Sequence, residues 1–143
     1  MTKLIFFLLI VFGPSLCPIF SQISSGHPTV VQAVSPSYPA IALASGAEGT
    51  VLIEAKIDSE GKVISTRMLK GIRLLGKAGE LATQQWLFKT NTKRKIRILR
   101  LFFTFEILPE ETSISKEVSI FINPYRIVIR RTKPKVVNLP DND

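Results

Sequence analysis

The fold is decided by residues 49–105, which read GTVLIEAKIDSEGKVISTRMLKGIRLLGKAGELATQQWLFKTNTKRKIRILRLFFTF. Apolar and polar side chains largely alternate over residues 50–57, with Leu52 as the exception, and this pattern predicts a half-buried strand. Residues 58–61 then predict a turn, because Asp bonds to nearby backbone and Gly accepts a positive φ. Residues 62–69 are therefore expected to return antiparallel to the first strand.

The second half of the same stretch predicts one helix and a third strand. Apolar side chains recur at spacings of three and four, which indicates a helical stripe that packs on one face of the hairpin. The stripe consists of Leu74, Leu75, Ala78, Leu81, Ala82, Gln85 and Trp86. We expect the helix to end at 86–88, with Trp86 and Phe88 in the core, and to begin raggedly because 71–73 contains no capping side chain. Gly76 weakens its interior by about 1 kcal/mol relative to alanine. Residues 96–107, rich in β-branched and aromatic side chains, predict the third strand.

The N-terminal residues 1–21 have the layout of a secretory signal. Lys3 precedes an apolar run from Leu4 to Phe12, and small residues follow, so we expect cleavage after Ser21. An uncleaved membrane anchor is the alternative, but a span needs about 20 apolar residues, and Gly and Pro interrupt this run. The single cysteine, Cys17, lies in this segment, so the exported part would form no internal disulfide.

Short elements are expected on both sides of the central stretch. Residues 22–35 have no clean periodicity and predict a linker. Residues 39–45 predict a short helix, with Pro39 in its first turn and Gly46 as its stop, docked through Ile41 and Leu43. Residues 108–132 predict an additional β-hairpin that turns at Asn123-Pro124 and either extends the sheet or forms a second one. Residues 133–143 read as a tail.

An ordered set of short motifs resembles the C-terminal domain of TonB-type energy transducers. The motifs are Pro36, Tyr38-Pro39, Ala42, Gly46, Gly49, Val51, Ile57-Asp58, Gly61, Val63, Ala78, Ala82 and Trp86-Leu87-Phe88. The resemblance covers residues 36–107 and implies a small α+β domain in the periplasm, without a catalytic centre, that binds proteins by its sheet edge. The expected architecture is a small antiparallel sheet of three strands, with one or two extra C-terminal strands, packed against one main helix and a short N-terminal helix.

The resemblance also implies a binding site for a protein partner. In the family, a short segment of an outer-membrane transporter pairs beside the third strand, close to the residues before the Tyr-Pro pair. In this sequence the matching positions are Ser37, Tyr38, Arg97, Leu99, Leu101 and Phe103. Tyr38 is equally a candidate core residue. Two questions stay open at this point: whether the C-terminal strands cover the edge, and whether a homodimer forms by strand exchange.

Energy coupling and a plain adaptor role are both open. Transducers of the family generally carry a membrane anchor with recognisable polar positions, followed by a long Pro-rich spacer. The fifteen residues from Ile23 to Ser37 reach at most about 50 Å at ~3.3 Å each. The competing expectation is therefore a structural or adaptor domain of the cell envelope, without energy coupling, either free in the periplasm or tethered by the N-terminal segment.

The sequence contains no recognisable catalytic, metal or cofactor motif. His27 is the only histidine, and it lies in the linker, so neither a catalytic triad nor a multi-histidine metal site is expected. The formal net charge is +8, and part of it is concentrated in Lys93, Arg94, Lys95, Arg97 and Arg100. This cluster is either a solvated approach to an edge strand or an attraction for acidic partners or anionic lipid. Nucleic acid is not expected as a partner because the chain carries an export signal.

Overall fold

The computed structural model describes residues 26–91, 96–110, 116–122 and 124–134. The predicted signal and nearly all of the predicted tail lie outside these residues. The described elements, in chain order, are β1 (Thr29–Gln32), α1 (Ala40–Ala44), β2 (Gly49–Asp58), β3 (Val63–Lys70), α2 (Arg73–Thr83), β4 (Leu87–Lys89), β5 (Ile96–Leu108), β6 (Val118–Ile122) and β7 (Arg126–Thr132). The predicted α+β class is confirmed. Neither described helix is long and apolar enough to cross a membrane.

Five strands form the main sheet in the order β3-β2-β5-β7-β6. β2 pairs antiparallel with β3 on one side and, along its whole length, with β5 on the other. β7 pairs parallel with the second half of β5 and antiparallel with β6. The C-terminal hairpin therefore extends the main sheet, and its second strand fills the place next to β5.

The core lies on one face of this sheet. Alternate side chains of three neighbouring strands point to that face and are buried: Val51, Ile53, Ala55 and Ile57 of β2, Leu99, Leu101, Phe103 and Phe105 of β5, and Ile127 and Ile129 of β7. α2 covers part of this face, where Gly79 lies against the side chains of Ile53 and Phe103. The alternation predicted for β2 is thus confirmed, and its apolar face is the one that is turned inward.

The face that α2 presents to the sheet overlaps only in part with the one that its apolar spacing predicted, since Leu75 and Ala82 are buried as expected. Its buried residues are Leu75, Gly76, Gly79, Ala82 and Thr83, whereas Leu74 and Leu81 remain 43% and 49% exposed. A Cβ at Gly79 would lie 3.1 Å from the ring of Phe103. The helix is rotated so that its glycines meet the sheet, because the absence of side chains there lets the two backbones approach closely.

A second, two-stranded sheet lies where the sequence predicted a linker and a helix end. β1, within the predicted linker 22–35, pairs antiparallel with β4, and the predicted helix end at 86–88 is wrong because α2 stops at Thr83. Trp86 and Phe88 are both buried as predicted, with Leu87 half-buried between them. Alternate burial requires an extended backbone, since neighbours two apart in a helix face different directions.

The short helix α1 docks as expected through Leu43 but not through Ile41. Ala42 and Leu43 are buried, whereas Ile41 is 66% exposed. The Leu43 N–H donates to the Pro39 carbonyl over 2.9 Å, which closes the first turn at the predicted proline. Pro39 is therefore the N-cap residue directly before α1, where its missing N–H leaves no helical hydrogen bond unmade.

Candidate functional site

Half of the outer edge of β5 has no strand beside it in the described part of the chain. β7 pairs with β5 from Phe102 to Leu108. On that side, residues 96–101 are paired with no described strand, although on the other side they are bonded to β2. The C-terminal hairpin thus covers one half of this edge and leaves the other half open.

The direction of the backbone groups along the open half follows from one hydrogen bond. The Phe102 N–H donates to the Tyr125 carbonyl over 2.8 Å, so the backbone of Phe102 faces β7. Because N–H and C=O of successive strand residues point to alternate sides, the backbone groups of Ile98 and Arg100 face the same, uncovered side. Those of Leu99 and Leu101 face β2.

The side chains predicted on this strand lie mostly in the core. Leu99, Leu101 and Phe103 are buried, and Arg97 is half-buried on the same face. The open half of the edge therefore presents its solvent-side residues instead, and Ile96 and Ile98 are each 57% exposed there. Partner binding by Arg97, Leu99, Leu101 and Phe103 stays a prediction.

Ser37 and Tyr38 lie by the other end of β5. The ring of Tyr38 packs edge-on against Phe105, with centroids 5.2 Å apart, and its hydroxyl donates to the Ala47 carbonyl over 2.6 Å. Burial, with a smaller contribution from the negative charge of Glu48, raises the pKa of Tyr38 to about 12. Phe105 is eight residues from Arg97, about 26 Å along an extended strand. The structure therefore places Ser37 and Tyr38, a second group of predicted site residues, near the Phe103 end of β5 and far from Arg97.

Glu117, which the sequence did not single out, joins the second group to the C-terminal hairpin. Its carboxylate accepts the Tyr38 N–H over 2.7 Å and the Ser37 hydroxyl over 3.5 Å. The Arg131 guanidinium lies 3.4 Å from the same oxygen. This carboxylate thus connects the segment before α1 to both strands of the hairpin, a contact between residues 79 positions apart that no local pattern predicts.

Arg97 connects β5 to the start of the described chain rather than to solvent. One of its terminal nitrogens donates to the Gly26 carbonyl, and the other, Nη1, is buried with no hydrogen-bond partner among the described residues. Beside it, the Tyr125 hydroxyl donates to the Pro28 carbonyl over 2.5 Å. Burial raises the pKa of Tyr125, and the charge of Arg97 opposes that rise.

The predicted basic cluster is divided between faces of the sheet. Lys93, Arg94 and Lys95 lie outside the described residues. Arg97 lies on the core face, whereas Arg100 lies on the solvent face, where it is exposed and has no ion pair within the described chain. Of the two arginines, Arg100 is thus the exposed one, on the solvent face of the open edge.

The opposite edge of the sheet is partly capped. The Glu80 carboxylate of α2 accepts the Met68 N–H of β3 over 2.7 Å. A groove of about 850 Å³ runs beside this contact, and its lining residues are Pro39, Arg67, Met68, Arg73, Leu74, Lys77, Ala78, Glu80 and Leu81. The lining contains no serine, cysteine or histidine, so it provides none of these side chains as a nucleophile or base. Across the described residues, no group of three or more His, Cys, Asp or Glu is placed to hold a metal ion.

Comparison with known proteins gives a family and a fold. The model of the C-terminal domain of Gram-negative bacterial TonB proteins matches residues 34–107, slightly more than half of the chain. The solution NMR structure of the Pseudomonas aeruginosa TonB C-terminal domain is similar in fold, with a TM-score of 0.51 and 22% sequence identity, over 62% of this chain and 95% of that one. No curated protein matches the sequence.

The family match ends where β5 ends. β1 and the hairpin of β6 and β7 lie outside residues 34–107, so the strand that covers half of the β5 edge is not part of the family match. Domains of this family are periplasmic energy-transducing and protein-interaction domains of TonB-dependent transport, not known enzymes, and they interact with outer-membrane transporters. By this match and by its fold, the chain belongs to the TonB C-terminal domain family.

Proposed function

We propose that this chain is an exported domain that binds an extended segment of a partner protein by adding a strand to the open half of β5, as one step of transport across the outer membrane. The observation that supports the proposal is the uncovered edge at residues 96–101. The backbone groups of Ile98 and Arg100 face that side, and an extended peptide gains backbone hydrogen bonds along such an edge.

The open edge sets the size and strength of the interaction. Six residues at about 3.3 Å each span about 20 Å, so the paired part of the partner is about six residues long. Each backbone hydrogen bond contributes about 0.5–1.5 kcal/mol net, and ordering the peptide opposes this gain. Ile96 and Ile98 add apolar contact on the solvent face. We therefore expect a Kd in about the micromolar range or weaker.

An adaptor without energy coupling is the second candidate function. It is favoured by β7, which already occupies Phe102–Leu108, the half of the edge that a longer partner strand would need. Mass spectrometry of soluble and membrane fractions separates the two. A soluble species that begins at Gln22 supports the adaptor, whereas a membrane-bound species that retains the N-terminal segment supports energy transduction.

Strand addition is tested with proline at position 98. Ile98→Pro removes an outward N–H and leaves the bonds to β2 in place, since proline is tolerated where the N–H faces solvent. The probe is a synthetic peptide of alternating threonine and valine with a free carboxyl end, labelled for fluorescence anisotropy. We expect Ile98→Pro to weaken its binding by about tenfold or more, which corresponds to about 1.4 kcal/mol.

The matched control is Ile98→Thr, which shortens the same side chain but keeps the N–H, and we expect it to bind within about threefold of wild type. Circular dichroism and the fluorescence of Trp86 verify that each variant is folded. Proline at Leu99 or Leu101 is unsuitable because it removes a bond to β2. If folded Ile98→Pro binds the peptide as tightly as Ile98→Thr, strand addition at this edge is wrong.

A further inference from the structure

The open half of β5 ends at a notch formed with the turn between β6 and β7. The notch has a volume of about 310 Å³, and its lining residues are Arg100, Phe102, Ile122, Pro124, Tyr125 and Arg126. It lies where the Tyr125 carbonyl accepts the Phe102 N–H, the first bond between β7 and β5 along the strand. A strand added to the open half must stop there, because β7 occupies the next position.

Two arginines at this stop have no negatively charged partner among the residues that the structure describes. Arg100 and Arg126 are both exposed, and the guanidinium of Arg126 lies 5.4 Å from the centre of the Phe102 ring. Glu54 is directly across from Arg100 on β2, but its carboxylate is bound to Arg67 over 2.9 Å. Within the described chain, neither notch arginine forms an ion pair. Guanidinium groups bind carboxylates in a fork geometry that gives both strength and direction.

The direction of β5 determines which end of an added strand meets these charges. β5 runs from Ile96 towards the notch, so a strand parallel to it ends there with its carboxyl end. A strand that ran antiparallel to β5 would instead bring its N-terminal ammonium group next to the two guanidinium groups, which carry the same charge. β7 itself pairs parallel with β5, so the added strand would continue the geometry already present on this side of the sheet.

We infer that the notch is a carboxylate-binding subsite, and that the chain selects an extended segment which runs parallel to β5 and is closed by a carboxylate between Arg100 and Arg126. The inference rests on the proposed strand addition. The carboxylate has two chemical sources: the C-terminus of the partner or the side chain of a closing Asp or Glu. In this arrangement the carboxylate end of the ligand lies beside the hairpin of β6 and β7, and the rest of the ligand pairs with the open half of β5.

The test compares three forms of the threonine-valine peptide: the free acid, the C-terminal amide, and an amide whose last residue is aspartate. We expect the wild-type protein to bind the free acid about tenfold more tightly than the plain amide, with a preference that weakens as salt is added. Restored affinity in the aspartate amide identifies a side-chain carboxylate as sufficient. Tight binding by the free acid alone identifies the C-terminus. Equal binding of the free acid and both amides overturns the inference.

The double variant Arg100→Gln/Arg126→Gln should bind acid and amide equally, at about the affinity of wild type for the amide. Its matched control is Arg73→Gln/Lys77→Gln, which removes the same charge from exposed positions on α2 and should keep the preference for the acid. Loss of the preference in the control as well would mean general charge attraction and would overturn the inference.

Ile98→Pro distinguishes failure of strand addition from failure of the carboxylate subsite. It should weaken the binding of all three peptides if strand addition is right, whether or not the notch prefers carboxylates. Failure of all three to bind wild type rejects the edge and the notch together.

The direction of the added strand has its own measurement. A paramagnetic label at the N-terminus of the free-acid peptide should broaden the amide NMR signals around Ile96 and leave those around Arg126 sharp. The reverse pattern would place the N-terminus in the notch and would overturn the proposed direction.

Discussion

The turn at Gly61 lies against the backbone of β4, and Gly61→Ala tests how much stability this contact carries. Gly61 has φ +86°, and a Cβ there would lie 1.7 Å from the Phe88 carbonyl oxygen and 2.6 Å from its carbonyl carbon. The two residues are also joined by a hydrogen bond of 2.9 Å from the Phe88 N–H to the Gly61 carbonyl. Alanine at this position therefore requires β4 to move.

The expected loss has two parts. The positive φ costs a residue with a Cβ about 1–2 kcal/mol. Displacement of β4 weakens a hydrogen bond worth about 1 kcal/mol and disturbs the packing of Phe88, which is buried against Trp86 and Tyr125. We expect Gly61→Ala to lower the free energy of unfolding by about 3–4 kcal/mol in total.

Urea unfolding followed by the fluorescence of Trp86 measures this loss, because the only tryptophan is buried beside Phe88. The control is Gly49→Ala, where φ is +136° but nothing lies within 4 Å of the added Cβ. That variant carries only the backbone strain of a φ that favours glycine, so it should lose about 1–3 kcal/mol. If both variants lose the same free energy, the close approach of the turn to β4 contributes nothing and the reasoning is refuted.

Two further predictions concern Tyr38 and Glu117. Burial raises the pKa of Tyr38 from 10.0 to about 12, so the unfolded chain loses this proton first, and the free energy of unfolding is full below pH 10 and decreases as the pH rises towards 12. Tyr38→Phe should flatten this decrease in urea unfolding measured at pH 8 and pH 11. An unchanged pH dependence in the variant would contradict the prediction. Glu117→Gln weakens the contacts to Tyr38 and Arg131, so hydrogen exchange of β6 and β7 should accelerate by about tenfold, a loss of about 1.4 kcal/mol in local opening, while β2 stays unchanged.

Much of the main sheet was predictable from local sequence. β2, β3 and β5 were predicted within one or two residues of their observed ends, since period-two alternation and a Gly-containing turn are local properties. The hairpin of β6 and β7 was predicted in the same way. The burial of Leu99, Leu101 and Phe103 in β5 was not predicted, since these residues were expected to contact the partner.

The face of α2 was only partly readable from its apolar spacing, which identified the buried Leu75 and Ala82 but not the glycines. Leu74 and Leu81 are larger than Gly76 and Gly79, so they dominate the pattern, yet the sheet is met by the glycines. β1 and β4 were missed for a related reason. Each is only three or four residues long, and their pairing depends on a partner more than fifty positions away.

For the candidate site, too, local sequence patterns predicted some features, whereas others depend on contacts between distant segments. Sequence alone determined the family resemblance, the α+β class and the strand that carries the proposed edge, because these follow from residue types and periods within short windows. Only the tertiary structure decided which half of β5 is open, and that the backbone of Ile98 and Arg100 rather than that of Leu99 and Leu101 faces outward. It also decided that Arg100 and Arg126 line the same notch. Those facts depend on where β7 pairs and in which register, and strand pairing between distant segments is set by the packing of the whole core rather than by any local pattern.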